Sequence, residues 1–61
     1  MEKGTINKYG RKWYICDEKF DITMPNWWFV AEFEEGVLHM NNEIGVMVLI
    51  QKDGTELMCY I

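Results

Sequence analysis

The chain has no serine, one histidine, one proline and two cysteines. Lacking serine, and with both cysteines in apolar stretches, it offers no activated hydroxyl or thiol for nucleophilic catalysis. The lone histidine, His39, has only Glu32 as a foreseeable partner across a strand pair, which is a solvent-side contact rather than an acid–base couple. Cys16, His39 and Cys59 are separated by 23 and 20 residues. That spacing lacks the closely set ligand pair of a structural zinc site. No metal and no cofactor are expected, and the protein is expected not to be an enzyme.

Long apolar runs are also missing. The longest, Val46 to Ile50, is far too short to cross a bilayer, and no apolar leader core follows Met1. A cytoplasmic protein with reduced thiols, and no membrane partner, is the expectation. One alanine and one arginine beside six isoleucines and five lysines match AT-rich coding, as in some bacteria and their phages. Helical periodicity is absent as well: no window of about 11 residues holds an apolar stripe at helical spacing.

What is present is apolar and aromatic. Hydrophobic residues make up 49% and aromatics 15% of the 61 residues, too much for disorder. The whole chain, 1–61, reads as one small domain. A domain of about 60 residues buries only about 60% of its unfolded surface and is marginal on its own. Charge is uneven. Residues 1–12 carry Lys3, Lys8, Arg11 and Lys12 against Glu2, whereas residues 13–61 carry two lysines against nine acids, leaving a net −4. This acidity works against binding driven by phosphate contacts and permits a basic partner.

Period-2 alternation dominates and predicts an all-β fold. Lys3 to Lys8 reads as an edge strand or arm, and Tyr9-Gly10-Arg11 as a turn. Lys12 to Cys16 is a strand with Trp13 and Ile15 on one face and Tyr14 and Cys16 on the other. Asp17 caps a possible helical turn over Asp17 to Phe20, and Met24-Pro25-Asn26 is a turn. In the strand Trp27 to Glu34, alternation puts Trp27, Phe29, Ala31 and Phe33 inward and Trp28 outward. A two-residue turn at Glu35-Gly36 then pairs Phe33 with Leu38, Ala31 with Met40 and Glu32 with His39. Asp53-Gly54 is the strongest turn signal. Folding about it pairs Ile50 with Leu57, Val48 with Cys59 and Val46 with Ile61 on one face, and Leu49 with Met58 and Met47 with Tyr60 on the other. The predicted architecture is an antiparallel meander of about five strands, as an SH3-like barrel or a strongly bent sheet.

That last hairpin is apolar on both faces, so something must cover its second side. Either residues 17–26 fold over it or another molecule does. The predicted function is a protein-interaction module, self-associating or binding a host protein, with Trp28, Met47, Leu49, Met58 and Tyr60 as contacts. Met and aromatic residues favour interface cores. Nucleic-acid binding through Tyr9, Arg11, Lys12, Trp13 and Tyr14 is the alternative, with bases stacked on rings and cations on phosphates. A third reading takes the acidic clusters Asp17, Glu18, Asp21 and Glu32, Glu34, Glu35 as mimicry of a phosphate backbone by an inhibitor.

Overall fold

The computed structural model describes residues 2–16 and 19–61, with the side chains of residues 2 and 3 left aside. Six strands form one antiparallel sheet: β1 (Glu2–Lys8), β2 (Arg11–Cys16), β3 (Trp27–Phe33), β4 (Gly36–Asn41), β5 (Val46–Gln51) and β6 (Glu56–Tyr60). Their spatial order is β1-β2-β6-β5-β4-β3. Strands β3 to β6 make a meander, and the β1–β2 hairpin adds to its far side through β2 and β6. The described residues contain no helix. Of the helical turn predicted over 17–20, residues 17 and 18 lie outside those described, and Lys19 and Phe20 are not helical.

Six strands spaced about 4.8 Å apart would make a broad, thin slab if flat. The Cα envelope instead measures 27 × 24 × 21 Å, so the sheet curls. It does not close, because β1 and β3 share no ladder. The row of paired residues Thr5, Tyr14, Met58, Val48, His39 and Phe29 crosses the whole sheet. Lys8 and Tyr9 lie beyond one end of this row, Phe33 and Glu35 beyond the other, yet they meet. The Tyr9 and Phe33 rings stack at 4.9 Å, Lys8 Nζ lies 3.2 Å from Glu35 Oε2, and the Tyr9 hydroxyl donates to Glu35 Oε1. Tilted strands in a curling sheet require such a staggered meeting.

The inner, concave face holds the core. Trp13, Leu49, Leu57 and Cys59 are buried there, with Ile6, Ile15, Phe33, Leu38 and Met47 packed against them. The Trp13 indole N–H donates to Lys8 O at 2.8 Å, which satisfies its one polar atom. The outer face carries Val46, Val48, Asn41 and Glu56, also buried. Residues 19–26 cover it on their way from β2 to β3. The Phe20 N–H donates to Glu56 Oε1 at 2.7 Å, Lys19 Nζ donates to Gly54 O at 2.8 Å, and the Phe20 ring meets Trp27 edge-on at 5.7 Å. Both faces of β5 are thus covered within the one chain.

Three features differ from the alternation pattern. In the last hairpin, Gln51 pairs with Thr55 around a three-residue loop, Gly54 takes φ +95°, and Asp53 Oδ1 accepts the Thr55 N–H. A type I turn followed by a left-handed glycine adds one residue to the two-residue turn expected there. Val46 therefore pairs with Tyr60, Val48 with Met58 and Leu49 with Leu57. A one-residue slip reverses which face of β5 points inward, so Leu49 and Met47 are core and Val48 lies outside under the strap.

The β3–β4 turn is Glu34-Glu35, with Phe33 paired to Gly36 and Ala31 to Leu38. Gly36 is needed inside the strand, because a Cβ there would sit 2.2 Å from Ile50 O. Finally, the ladder shifts between Phe29 and Ala31, which makes Val30 the extra residue of a β-bulge. The bulge turns Trp27 and Phe29 to the outer face and Trp28 to the inner. Glu32 pairs with Val37, so the expected Glu32–His39 contact does not form.

Candidate functional site

Strand β3 is one of the two edges of the sheet, and its outer backbone has no neighbouring strand. Along it three consecutive apolar side chains stand in solvent: Trp28 at 57% exposure, Phe29 at 65% and Val30 at 43%. A regular strand alternates sides and would hide every second residue against its sheet. The bulge at Val30 breaks that alternation, and the edge position leaves the inner-face Trp28 uncovered. Glu32 and Glu34, both exposed, follow directly, and a shallow open depression is bordered by Glu34 and Glu35.

The five residues expected as partner contacts do not form one surface. Leu49 is fully buried and Met47 packs against the core, so both are removed from that role by the register of the last hairpin. Met58 is half-buried on the outer face beside Val48. Tyr60 is 62% exposed on the outer face and Trp28 is exposed at the far edge of the sheet. Phe29 and Val30 are the residues that alternation missed. The available signal was three large apolar side chains in succession next to a run of acids.

The residues expected to bind nucleic acid are divided too. Trp13 is 1% exposed and cannot stack on a base, which corrects that assignment. Tyr9 is committed to Phe33 and Glu35 at the seam. Lys12 and Tyr14 share the outer face with Tyr60, whereas Arg11 lies on the inner face beside Cys59. Lys12 Nζ lies 5.8 Å from the Tyr14 ring centre, Tyr14 meets Tyr60 edge-on at 5.9 Å, and an Arg11 N–H donates to Tyr60 O at 3.4 Å.

Among the described residues no group of three or more His, Cys, Asp or Glu side chains is placed to hold a metal ion. Cys16 stands opposite Glu56, so Cys59 is three positions away along β6, about 10 Å at strand spacing. A disulfide bridges Cα atoms less than about 7 Å apart, so the two cannot join without backbone movement. Burial pushes the Cys59 thiol up, against the pull of the nearby Arg11 charge, which makes it a poor nucleophile. His39 lies edge-on to Phe29 at 6.1 Å, with Nδ1 buried and without a hydrogen-bond partner. No described helix is long and apolar enough to cross a membrane. Comparison with protein-family models, curated proteins and solved structures finds no match to this chain.

Proposed function

We propose that the chain is a small non-catalytic interaction module that docks another protein chain along the β3 edge. The observation that carries this reading is the run Trp28, Phe29 and Val30, exposed together on an unpaired edge strand. Proteins usually blunt such edges with lysine, proline or a covering loop, because an open apolar edge invites another strand. Here the strand itself has neither lysine nor proline, and its bulge and Glu32 leave the apolar run Trp28 to Val30 exposed. Strand addition combines main-chain hydrogen bonds with side-chain contacts, and aromatic side chains supply the anchors. A reducing cytoplasm, in a bacterial or phage setting, belongs to the same proposal. It is supported by the free, buried Cys59 and by the residue usage.

The test is Val30→Lys, which places a charge on the edge without touching the core. Solution mass by light scattering over about a hundredfold dilution, together with capture of partners from a cognate lysate, is compared with the wild type. Association or capture should be lost while the circular dichroism of the sheet is kept. Unchanged mass and unchanged capture would remove the β3 edge as the docking surface.

The Lys12, Tyr14 and Tyr60 cluster on the outer face favours a second reading, contact with single-stranded nucleic acid there. The net charge of −4 works against it. Titration with an oligonucleotide at about 50 mM salt decides the matter, since such binding must fade as salt rises.

A further inference from the structure

We infer that the occupant of the β3 edge is an extended cationic segment of another protein, added to the sheet as a seventh strand, and not a second copy of this chain. This rests on the docking reading above and gives the partner its chemistry.

The spacing along the edge defines what fits. On the outer face the open strand presents Phe29 and then Glu32. On β4 these stand opposite His39 and Val37, two residues apart, because Val30 is the extra residue. A strand on the open side meets the same spacing. It needs an apolar side chain beside Phe29 and a cation two positions on, beside Glu32. Towards the inner face it meets Trp28 and Ala31, both apolar. Past Phe33 it reaches Glu34 and the depression bordered by Glu34 and Glu35. Glu35 is engaged by Lys8, whereas Glu32 and Glu34 form no ion pair among the described residues. The edge is therefore apolar at one end and anionic at the other, and a complementary strand is apolar at one end and cationic at the other.

The β3 edge of a second copy, the strand that a two-fold pair would bring here, cannot supply that cation. Between Lys19 and Lys52 the sequence holds no lysine or arginine. Parallel registers of β3 against itself bring two sets of Glu32, Glu34 and Glu35 together, and antiparallel registers about the apolar run set each copy's acids beyond the other's tryptophans, with no cation to meet them in either case. Two bodies each of net charge −4 also repel. Three exposed side chains fall well short of the roughly 800 Å² per partner of a standard interface. Main-chain hydrogen bonds and ion pairs must make up the difference, and only a cationic strand brings both.

The probe is a capped peptide of sequence lysine-threonine-lysine-valine-valine-valine-threonine, written for antiparallel addition. Its control carries glutamate in place of both lysines. Amide shifts of the labelled protein are followed by NMR. The lysine peptide should move amides of residues 27–34, and the glutamate peptide should not. The double variant Glu32→Gln, Glu34→Gln, both exposed positions, should weaken binding by about tenfold with the sheet intact. Equal binding of both peptides, or no effect of the double variant, would show that charge does not choose the partner and would overturn the inference. So would shifts confined to other strands, or no shifts with either peptide at about 1 mM. Concentration-dependent shifts in β3 without peptide would make a second copy the occupant, overturning this inference while leaving the docking reading intact. Failure of that reading shows separately, as indifference to Val30→Lys.

Discussion

Val48 and Leu49 are neighbours in sequence, point to opposite faces of the sheet, and are both fully buried, yet different parts of the molecule cover them. Leu49 lies under the curl of the sheet, among Trp13, Leu57 and Cys59. Val48 lies under a strap, residues 19–26, held by a hydrogen bond to Glu56, a lysine on the Gly54 carbonyl and one ring contact. A sheet of short strands cannot leave two apolar faces open to water. This one hides the first by bending and the second by routing its longest connection across it. The bend uses dispersed packing, whereas the strap depends on a few polar attachments, and so the two covers should fail differently.

The largest effect is expected on the inner face. Leu49→Ala should cost about 3 kcal/mol, a transfer loss plus a cavity that the rigid ladder cannot close. For a domain this small, thermal unfolding should record a drop in Tm of well over about 10 °C. Val48→Ala should cost about 1.5–2.5 kcal/mol, and a much smaller value would mean the strap moves in to fill the gap. An equal loss at both sites would erase the distinction between the two covers.

Next in size is Glu56→Gln. The amide oxygen can still accept the Phe20 N–H, but the charge assistance is lost, at a cost of about 1 kcal/mol. Hydrogen exchange should quicken about fivefold at the Phe20 amide and stay unchanged at the amides of Leu49 and Leu57. If all three quicken together, the strap and the core open as one unit.

The smallest effect concerns acid. Asp21 accepts from the Thr23 hydroxyl and its backbone N–H, and these bonds hold its carboxyl below the usual range. A carboxyl lowered by folding stabilises the fold above its unfolded value and loses that contribution as pH falls through the folded value. Acid should therefore loosen the Asp21–Thr23 turn of the strap first. Exchange at the Thr23 amide, followed as pH is lowered through the carboxylate range, should rise before global unfolding. Loss of inner-face protection at the same pH would contradict the order.

Local alternation made β2, β4 and the all-β class legible, and it set Trp13 with Ile15 on one face and Leu57 with Cys59 on another without saying which faces point inward. What it could not supply was phase. Asp53-Gly54 reads equally as two central residues of a tight turn or as the end of a three-residue loop, and that single residue decides whether Val48 or Leu49 faces inward. The bulge at Val30 leaves no compositional mark, so Phe29 reads as core when it stands in solvent. Gly36 reads as a turn glycine, although its role is to let β4 approach Ile50 O. The candidate edge was legible only through Trp28. That β3 is an edge at all follows from the pairing of β2 with β6, a contact between distant parts of the chain that no local pattern announces.

That pairing also orders events in time. Tyr14 meets Met58 and Ile15 meets Leu57, so the β1–β2 hairpin, made before the rest of the sheet, has its docking place on the last of the four strands that follow it. Until β6 appears, Trp13 has no core to enter and the strap has no Glu56 to grip. The meander β3 to β5 can assemble meanwhile from near neighbours, but the N-terminal hairpin waits, with its tryptophan exposed. The slow step of folding should then be this late capture, since contacts distant in sequence pay their loop-closure entropy before they gain anything. During that interval the nascent chain carries the apolar face of the waiting hairpin as well as the β3 edge, and the finished fold covers the first and keeps the second open.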